Sequence, residues 1–160
     1  MKSLTQTTRR GFTLIELLVV IAIIGILSAV VLASLNTARS KGNDAAVKSN
    51  MDTIRVQAEL FYDSQSPTSY GTQAWTNACT TATVGGMFGD PTINKAIGSI
   101  DSANGSGAVA CAANGTSWIV ISGITSNYWC ADSTGRSQAE TTAPGASAGT
   151  YLAGGAYGCI

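Results

Sequence analysis

The longest apolar stretch of the chain lies close to its amino terminus, from Phe12 to Leu35. It has 24 residues, and Glu16 is its only ionisable side chain. At about 1.5 Å of rise per residue, a helix of this length is about 36 Å long and can cross a bilayer core of about 30 Å. The pattern predicts a membrane-spanning helix, and a carboxylate inside such a helix indicates a functional role because its desolvation is costly.

A second helical pattern, this one amphipathic, follows the apolar stretch. Its apolar positions recur at spacings of 4, 3, 4 and 3 and share one face, namely Val47, Met51, Ile54, Ala58 and Phe61. We expect this stripe to pack against the domain's own sheet rather than to bind a partner. The other faces predict i, i+4 ion pairs between Lys48 and Asp52 and between Arg55 and Glu59. The helix should end near Asp63, before a turn-rich segment.

The rest of the chain is richer in small and polar residues and predicts shorter elements. Little periodicity is present in residues 65–88, which we expect to be mostly loop. Asp90 precedes a proline and a set of spaced isoleucines, a pattern typical of a capped helix over 91–100. Two β-branched and aromatic runs, 117–124 and 127–132, are separated by two residues and predict an antiparallel hairpin. A tight turn then leads into a short edge strand.

The segment before the apolar stretch is basic and short. An ordinary secretory signal has an apolar region of about 7 to 15 residues followed by a small-x-small cleavage site. Here the basic residues Lys2, Arg9 and Arg10 end at Gly11, and the apolar run is longer. Removal of residues 1–11 would leave the helix on the mature chain. The excess of positive charge before the helix favours a cytoplasmic amino terminus and an outward carboxyl domain.

The junction between the basic and apolar segments resembles a known protein family. The resemblance covers Gly11, Phe12, Thr13, Leu14, Ile15, Glu16 and residues 17–35, and continues more weakly in residues 58–64 and 128–135. It is to the class III leader and first helix of bacterial type IV pilins and type II secretion pseudopilins. The resemblance implies cleavage after Gly11, methylation of the new amino terminus on Phe12, and helical assembly through Glu16. Ala33 departs from the pattern, because many such pilins carry a helix-breaking proline there.

The resemblance also implies a fold, a location and a set of partners. The fold is α+β, with a long amino-terminal helix whose apolar half precedes an amphipathic half packed on a small antiparallel β-sheet. The expected parts are a leader (1–11), a transmembrane and filament-core helix (12–38), an amphipathic helix (39–64) and an outward globular domain (65–160). The protein would sit in the inner or cytoplasmic membrane with a single helix and then enter an extracellular or periplasmic fibre. Its partners would be copies of itself, a prepilin peptidase and methyltransferase, and an assembly platform with an ATPase.

Four cysteines fall in the predicted outward domain. An even number of cysteines in an oxidising compartment predicts two disulfides. A zinc site is the weaker alternative, because the chain has no C-x-x-C pair and no histidine. Three pairings are possible, and we favour Cys79 with Cys111 and Cys130 with Cys159 because each would close a separate local loop.

Charge and composition exclude several functions. The chain has nine basic and nine acidic residues, and three of the basic ones lie within residues 1–11. The mature chain would thus have six basic and nine acidic side chains, so broad electrostatic binding to nucleic acid is not predicted. Without histidine, no ordinary catalytic triad is possible, and no phosphate-binding loop is present. We therefore predict no enzymatic activity and no cofactor or metal.

Three carboxylates and two sequons have weaker functional interpretations. Asp90, Asp101 and Asp132 are candidates for a calcium site, but their spacing matches no EF-hand loop, and capping or turn roles explain two of them more simply. Asn104 and Asn114 begin formal glycosylation sequons, yet each is followed by glycine, which is a strong turn signal. We interpret both as turns.

Two classes of function remain open on the sequence. The first is a structural subunit polymerised into a type IV pilus, or into the related pseudopilus of a type II secretion system. The second is a low-abundance pilin-like subunit that binds DNA or surfaces, or an anchored domain that never polymerises. Glu16 favours a subunit that polymerises, because a filament can use its carboxylate to neutralise the amino terminus of a neighbour. The alternative is a side chain that reaches the membrane interface from the first helical turn.

Overall fold

The computed structural model describes residues 11–77, 79, 86–104, 109–141, 143, 152–153 and 156–160. The fold is α+β and pilin-like, and the chain divides into two compact units, one ending at Arg39 and one spanning Ser40–Ile160. The elements, in chain order, are α1 (Leu14–Ser64), β1 (Gln73–Thr76), a 3₁₀ turn (Met87–Gly89), α2 (Pro91–Asn104), β2 (Val109–Ala113), β3 (Trp118–Gly123), β4 (Tyr128–Asp132), β5 (Ser137–Glu140), β6 (Leu152–Ala153) and β7 (Ala156–Tyr157).

The first part of α1 is apolar and exposed. Every residue from Phe12 to Arg39 is exposed, and the most apolar 18-residue window of the helix has a mean hydropathy of 3.0. By length and composition, α1 is the one helix in the described part of the chain that could cross a membrane. The helix continues without a break through Ala33 and Gly42.

The second part of α1 carries the core-facing stripe that the sequence predicts. Val47, Met51, Ile54 and Ala58 are buried, and Phe61 is partly buried against the same core. The other walls of this core come from α2 and from one face of the sheet. Packing within the domain is therefore confirmed for the stripe.

The five-stranded sheet is antiparallel throughout, with strands in the order β1-β2-β3-β4-β5. The two runs predicted to form a hairpin are β3 and β4, in which Ile121 lies opposite Cys130. The central strands β2 and β3 are buried on both faces. Val120 belongs to the main core beneath α1, whereas Ile119 and Ile121 belong to a second apolar cluster on the opposite face.

Three elements differ from the sequence-based expectations. β1 lies within residues 65–88, which were predicted to be mostly loop, and it pairs with β2 in an irregular register. β2, with the sequence VACAA, has only one β-branched residue and therefore carries almost no local strand signal, although all five residues are buried. α2 extends to Asn104 rather than residue 100, because its last turn is polar and adds no apolar periodicity.

The predicted ion pairs along α1 are wrong. Arg55 forms an ion pair with Asp52 instead, at 3.7 Å and at spacing i, i+3. The Lys48 ammonium instead lies 4.3 Å from the centre of the Trp129 ring, and Glu59 accepts hydrogen bonds from the Tyr70 hydroxyl at 2.8 and 3.0 Å. Exposed pairs along a helix stabilise it by only about 0.2–0.5 kcal/mol, so contacts with the sheet and its loops compete with them easily.

Candidate functional site

The peptide bond between Gly11 and Phe12 lies just before the first helical residue, Leu14. Gly11 is exposed, and no atom lies within 4 Å of the position where a Cβ would stand. The Phe12 side chain is 85% exposed. An enzyme would therefore meet no steric barrier at this bond from the described residues. The leader residues Lys2, Arg9 and Arg10 lie outside the described residues.

Glu16 and Thr13 form a reciprocal cap at the start of α1. The Thr13 backbone N–H donates to Glu16 Oε2 at 2.9 Å, and the Thr13 hydroxyl donates to the same oxygen at 2.7 Å. In return, the Glu16 backbone N–H donates to Thr13 Oγ1 at 3.3 Å. This geometry is a capping box, in which two backbone N–H groups without helical partners are satisfied.

The sequence-based reasoning missed the role of Thr13. The signal was present, because T-x-x-E before an apolar run is the pattern of a capping box. The cap uses Oε2, and Oε1 of the exposed Glu16 carboxylate has no hydrogen-bond partner among the residues that the structure describes. The Glu16 side chain therefore caps the start of the helix and still has one carboxylate oxygen available to a cationic group.

Two disulfides lie within the Ser40–Ile160 unit, Cys79–Cys111 and Cys130–Cys159. These are the pairs that we favoured from the sequence. The first joins the segment after β1 to the core side of β2, and the second joins β4 to the segment after β7. Glu140 lies beside the second pair, with its oxygen within 4.8 Å of both sulfurs. Since those sulfurs are bonded to each other, they are not thiolates available to a metal ion.

Buried carboxylates hold the segment that contains Cys159. Asp132 is fully buried, and its Oδ2 accepts the backbone N–H of Cys159 at 2.8 Å. Its Oδ1 accepts the backbone N–H groups of Thr134 and Arg136 at 2.8 and 3.2 Å. Glu140 Oε1 accepts the backbone N–H of Ile160 at 3.0 Å. Both oxygens of Asp132 thus accept hydrogen bonds, one from the turn between β4 and β5 and the other from the segment that contains Cys159.

Asp90 and Asn114 also have structural roles. Asp90 Oδ1 accepts the backbone N–H groups of Thr92 and Ile93 at 2.8 and 3.1 Å and so caps α2. Asn114 Oδ1 accepts the backbone N–H groups of Thr116 and Ser117 at 3.0 and 2.7 Å, which is the geometry of a turn. The Asn104 amide donates to Ser122 Oγ at 2.7 Å, while the next two residues of its sequon lie outside the described part.

Comparison with known proteins finds similarity in the amino-terminal part of the chain. A family profile described as "Prokaryotic N-terminal methylation motif" matches residues 7–32. The chain is also similar to the "Type IV wide pilus major component PilA4" of Thermus thermophilus, at 48% identity over 61 residues. The amino-terminal segment is therefore similar to that of a type IV pilin. The aligned region makes up 38% of this chain and 47% of that relative, so the match spans about half of the relative's length.

No solved structure matches the chain significantly. The pilin-like character of the carboxyl part therefore rests on its own architecture, in which α1 lies on a five-stranded antiparallel sheet. The apolar helix and the methylation motif are together consistent with membrane anchoring before assembly into a fibre.

Proposed function

We propose that the chain is a pilin that is cleaved between Gly11 and Phe12, methylated on Phe12 and polymerised into a type IV pilus-like fibre. The observation that carries the proposal is the methylation motif across residues 7–32, which spans an accessible Gly11–Phe12 bond and leads into an apolar helix with one carboxylate. Before assembly, the helix of residues 12–38 crosses the inner or cytoplasmic membrane with residues 65–160 outward. The partners are the prepilin peptidase and methyltransferase, the assembly platform and its ATPase.

The proposed role of Glu16 in the fibre is to pair with the amino terminus of Phe12 in an adjacent subunit. An ammonium group and a carboxylate are each costly to bury alone in an apolar bundle, and pairing removes much of that cost. The free Oε1 of the capped Glu16 supports this role, because the capping box occupies only the other oxygen.

Processing is tested by intact-mass analysis of the protein extracted from membranes and of sheared fibres. The expected mass is that of residues 12–160 with one added methyl group and two disulfides. Retention of residues 1–11 in assembled fibres, or a cut beyond Leu35, would contradict the proposal.

The charge of Glu16 is tested by replacing it with glutamine. Gln is also accepted at this position of a capping box, so Glu16→Gln keeps the start of α1 while removing the charge. We expect normal membrane insertion, cleavage and disulfides but a sharp loss of fibres seen by electron microscopy. Glu16→Asp should be milder, since it keeps the charge with a shorter reach. Thr13→Val serves as the matched control that weakens the cap and keeps the carboxylate. Normal fibre numbers with Glu16→Gln would contradict the pairing with Phe12. They would favour the alternative, in which the Glu16 side chain only reaches the membrane interface.

A pseudopilin of a type II secretion system and a low-abundance subunit that binds DNA or surfaces are the alternatives. The name of the Thermus relative, a major pilus component, supports the pilus over both. Mass spectrometry of sheared surface fibres separates the three. A main component of long fibres is expected here, whereas a trace component or a protein confined to short periplasmic fibres would favour an alternative.

A further inference from the structure

A cavity of about 220 Å³ opens within the Ser40–Ile160 unit, away from the processing site. Three parts of the chain border it: the stretch of α1 that begins at Ser40, the last residues of α2, and the loop between β3 and β4. Its walls include the apolar side chains of Val47, Ala103 and Ile124. Neither the capping box nor the disulfides contribute a lining residue. The cavity therefore calls for an explanation separate from the functions assigned above.

The electrostatics of the cavity favour a cation. Among the described residues that line it, Asp44 is the only ionisable one. Asp44 Oδ1 accepts the backbone N–H and the hydroxyl of Thr125, each at 2.9 Å, while Oδ2 has no partner within the described ranges. α2 ends at Asn104 on the cavity wall, so the negative end of the helix dipole adds to the charge of Asp44.

Apolar walls together with a carboxylate match the side chain of lysine. Lysine carries a four-carbon apolar stem that packs along apolar surface and a compact ammonium with three N–H donors. A bare metal ion would gain nothing from Val47, Ala103 and Ile124, and one carboxylate offers it little charge. The cavity therefore suits a protein segment that carries a lysine side chain.

Lys41 and Lys95 are both exposed and have no polar side-chain partner among the described residues, and Lys95 is the one that lies outside α1, the helix that carries Asp44. Lys95 is exposed on α2, on the side opposite the buried Ile93, Ile97 and Ile100, and it has no polar partner in the part of the chain described. Lys48, by contrast, is engaged with Trp129. Lys95 and Asn104 are nine positions apart, which is about 13.5 Å along α2 and about half a turn around it. A lysine stem of roughly 6 Å does not cover that distance, so Lys95 cannot enter its own cavity.

We propose that the Lys95 side chain of one copy enters this cavity of a neighbouring copy and pairs with Asp44. The inference rests on the proposed function, because it requires an assembly of identical subunits. The protruding lysine and the receiving cavity lie on different parts of the same subunit. Such a contact is heterologous and can repeat along an open helical fibre without closing.

The test is zero-length crosslinking of sheared fibres with a water-soluble carbodiimide. The reagent joins the Asp44 carboxylate to the Lys95 amine as an amide, and the water lost converts the carbodiimide to its urea. Cells producing two variants together, Asp44→Asn and Lys95→Gln, supply fibres in which the remaining Lys95 and Asp44 are on different copies. We expect the Lys95–Asp44 crosslinked peptide from these mixed fibres and from wild-type fibres, but not from monomers in detergent.

The control is Lys41→Gln, which removes the lysine one helical turn from Asp44 and should leave the Lys95–Asp44 crosslink intact. Wild-type fibres alone are also informative if the mixed cells make none, because Lys95 does not reach its own cavity. Fibres in which Asp44 is unlinked, or linked to Lys41, would overturn the inference and leave the proposed function standing. The same crosslink in detergent monomers would overturn it equally. If this chain formed no fibre at all, both proposals would fail.

Discussion

At the scale of single residues, Tyr70 is the clearest case of a side chain tuned by its surroundings. It is 5% exposed, and its hydroxyl donates to both carboxylate oxygens of Glu59. Burial and the negative charge of Glu59 both raise the pKa of Tyr70 above its ordinary value of 10.0. Below pH 10 the tyrosine is neutral in the folded and unfolded states alike, so its effect on stability does not change with pH there.

We predict that the protein loses stability as the pH rises above 10, because the unfolded chain then releases the Tyr70 proton while the folded chain retains it. Tyr70→Phe should flatten the fall in stability above pH 10. It also removes the hydroxyl that donates hydrogen bonds to Glu59. Urea unfolding of the full chain in detergent between pH 8 and pH 11 measures the slope. Tyr128→Phe is the control, because it removes another tyrosine hydroxyl and leaves the hydrogen bonds from Tyr70 to Glu59 in place, so the slope should remain. An unchanged slope with Tyr70→Phe would contradict the assignment.

Residue-level prediction from the sequence succeeds where chemistry is local. Asp90 as a helix cap and Glu16 as the unusual carboxylate both follow from their immediate neighbours along the chain. Thr13 was within reach too, because its partner is three residues away. Lys48 and Glu59 were assigned wrongly, since their partners Trp129 and Tyr70 come from other elements that no local pattern places beside α1.

At the scale of elements, α2 depends on its cap. Asp90 satisfies two N–H groups at the start of a helix whose buried face includes Ile93 and Ile97. Asp90→Ala should lower the free energy of unfolding by about 0.5–2 kcal/mol, because those groups lose their acceptor. Asp63→Ala, which removes an exposed carboxylate near the end of α1, should change it by less than about 0.5 kcal/mol. Chemical unfolding of the full chain in detergent measures the free energy of unfolding of both variants. Equal decreases for Asp90→Ala and Asp63→Ala would argue against the capping role of Asp90.

The elements most easily predicted are those with a strong period. The buried stripe of α1 and the hairpin of β3 and β4 follow from apolar spacing and β-branched runs. β1 and β2 do not, because β2 forms a strand through its pairing with β3 and its burial, and β1 forms one through its pairing with β2. Their strand conformation is decided by the tertiary structure, which a local sequence window does not contain.

At the scale of the whole molecule, the two disulfides replace part of a small core. Cys130 and Cys159 are 29 residues apart, and their bond should contribute about 2–4 kcal/mol, chiefly by restricting the unfolded chain. Replacing both by serine should lower the free energy of unfolding by that amount. Peptide mapping without reduction should show Cys79 with Cys111, Cys130 with Cys159, and no free thiol. Four free cysteines in protein from the native envelope would refute the predicted oxidising location.

On the proposed function, the helix α1 also has a consequence for the order in which a subunit folds and assembles. In the Ser40–Ser64 part of α1, the apolar face needs α2 and the sheet, and Lys48 and Glu59 find their partners on β4 and before β1. Most of the stability of a helix within a protein comes from tertiary packing of its amphipathic face rather than from its own propensity. This part of α1 should therefore become fully ordered only as the Ser40–Ile160 unit folds. In the proposed pilin, a subunit whose Ser40–Ile160 unit failed to fold would lack an ordered second half of α1, and we expect that it would not enter a fibre.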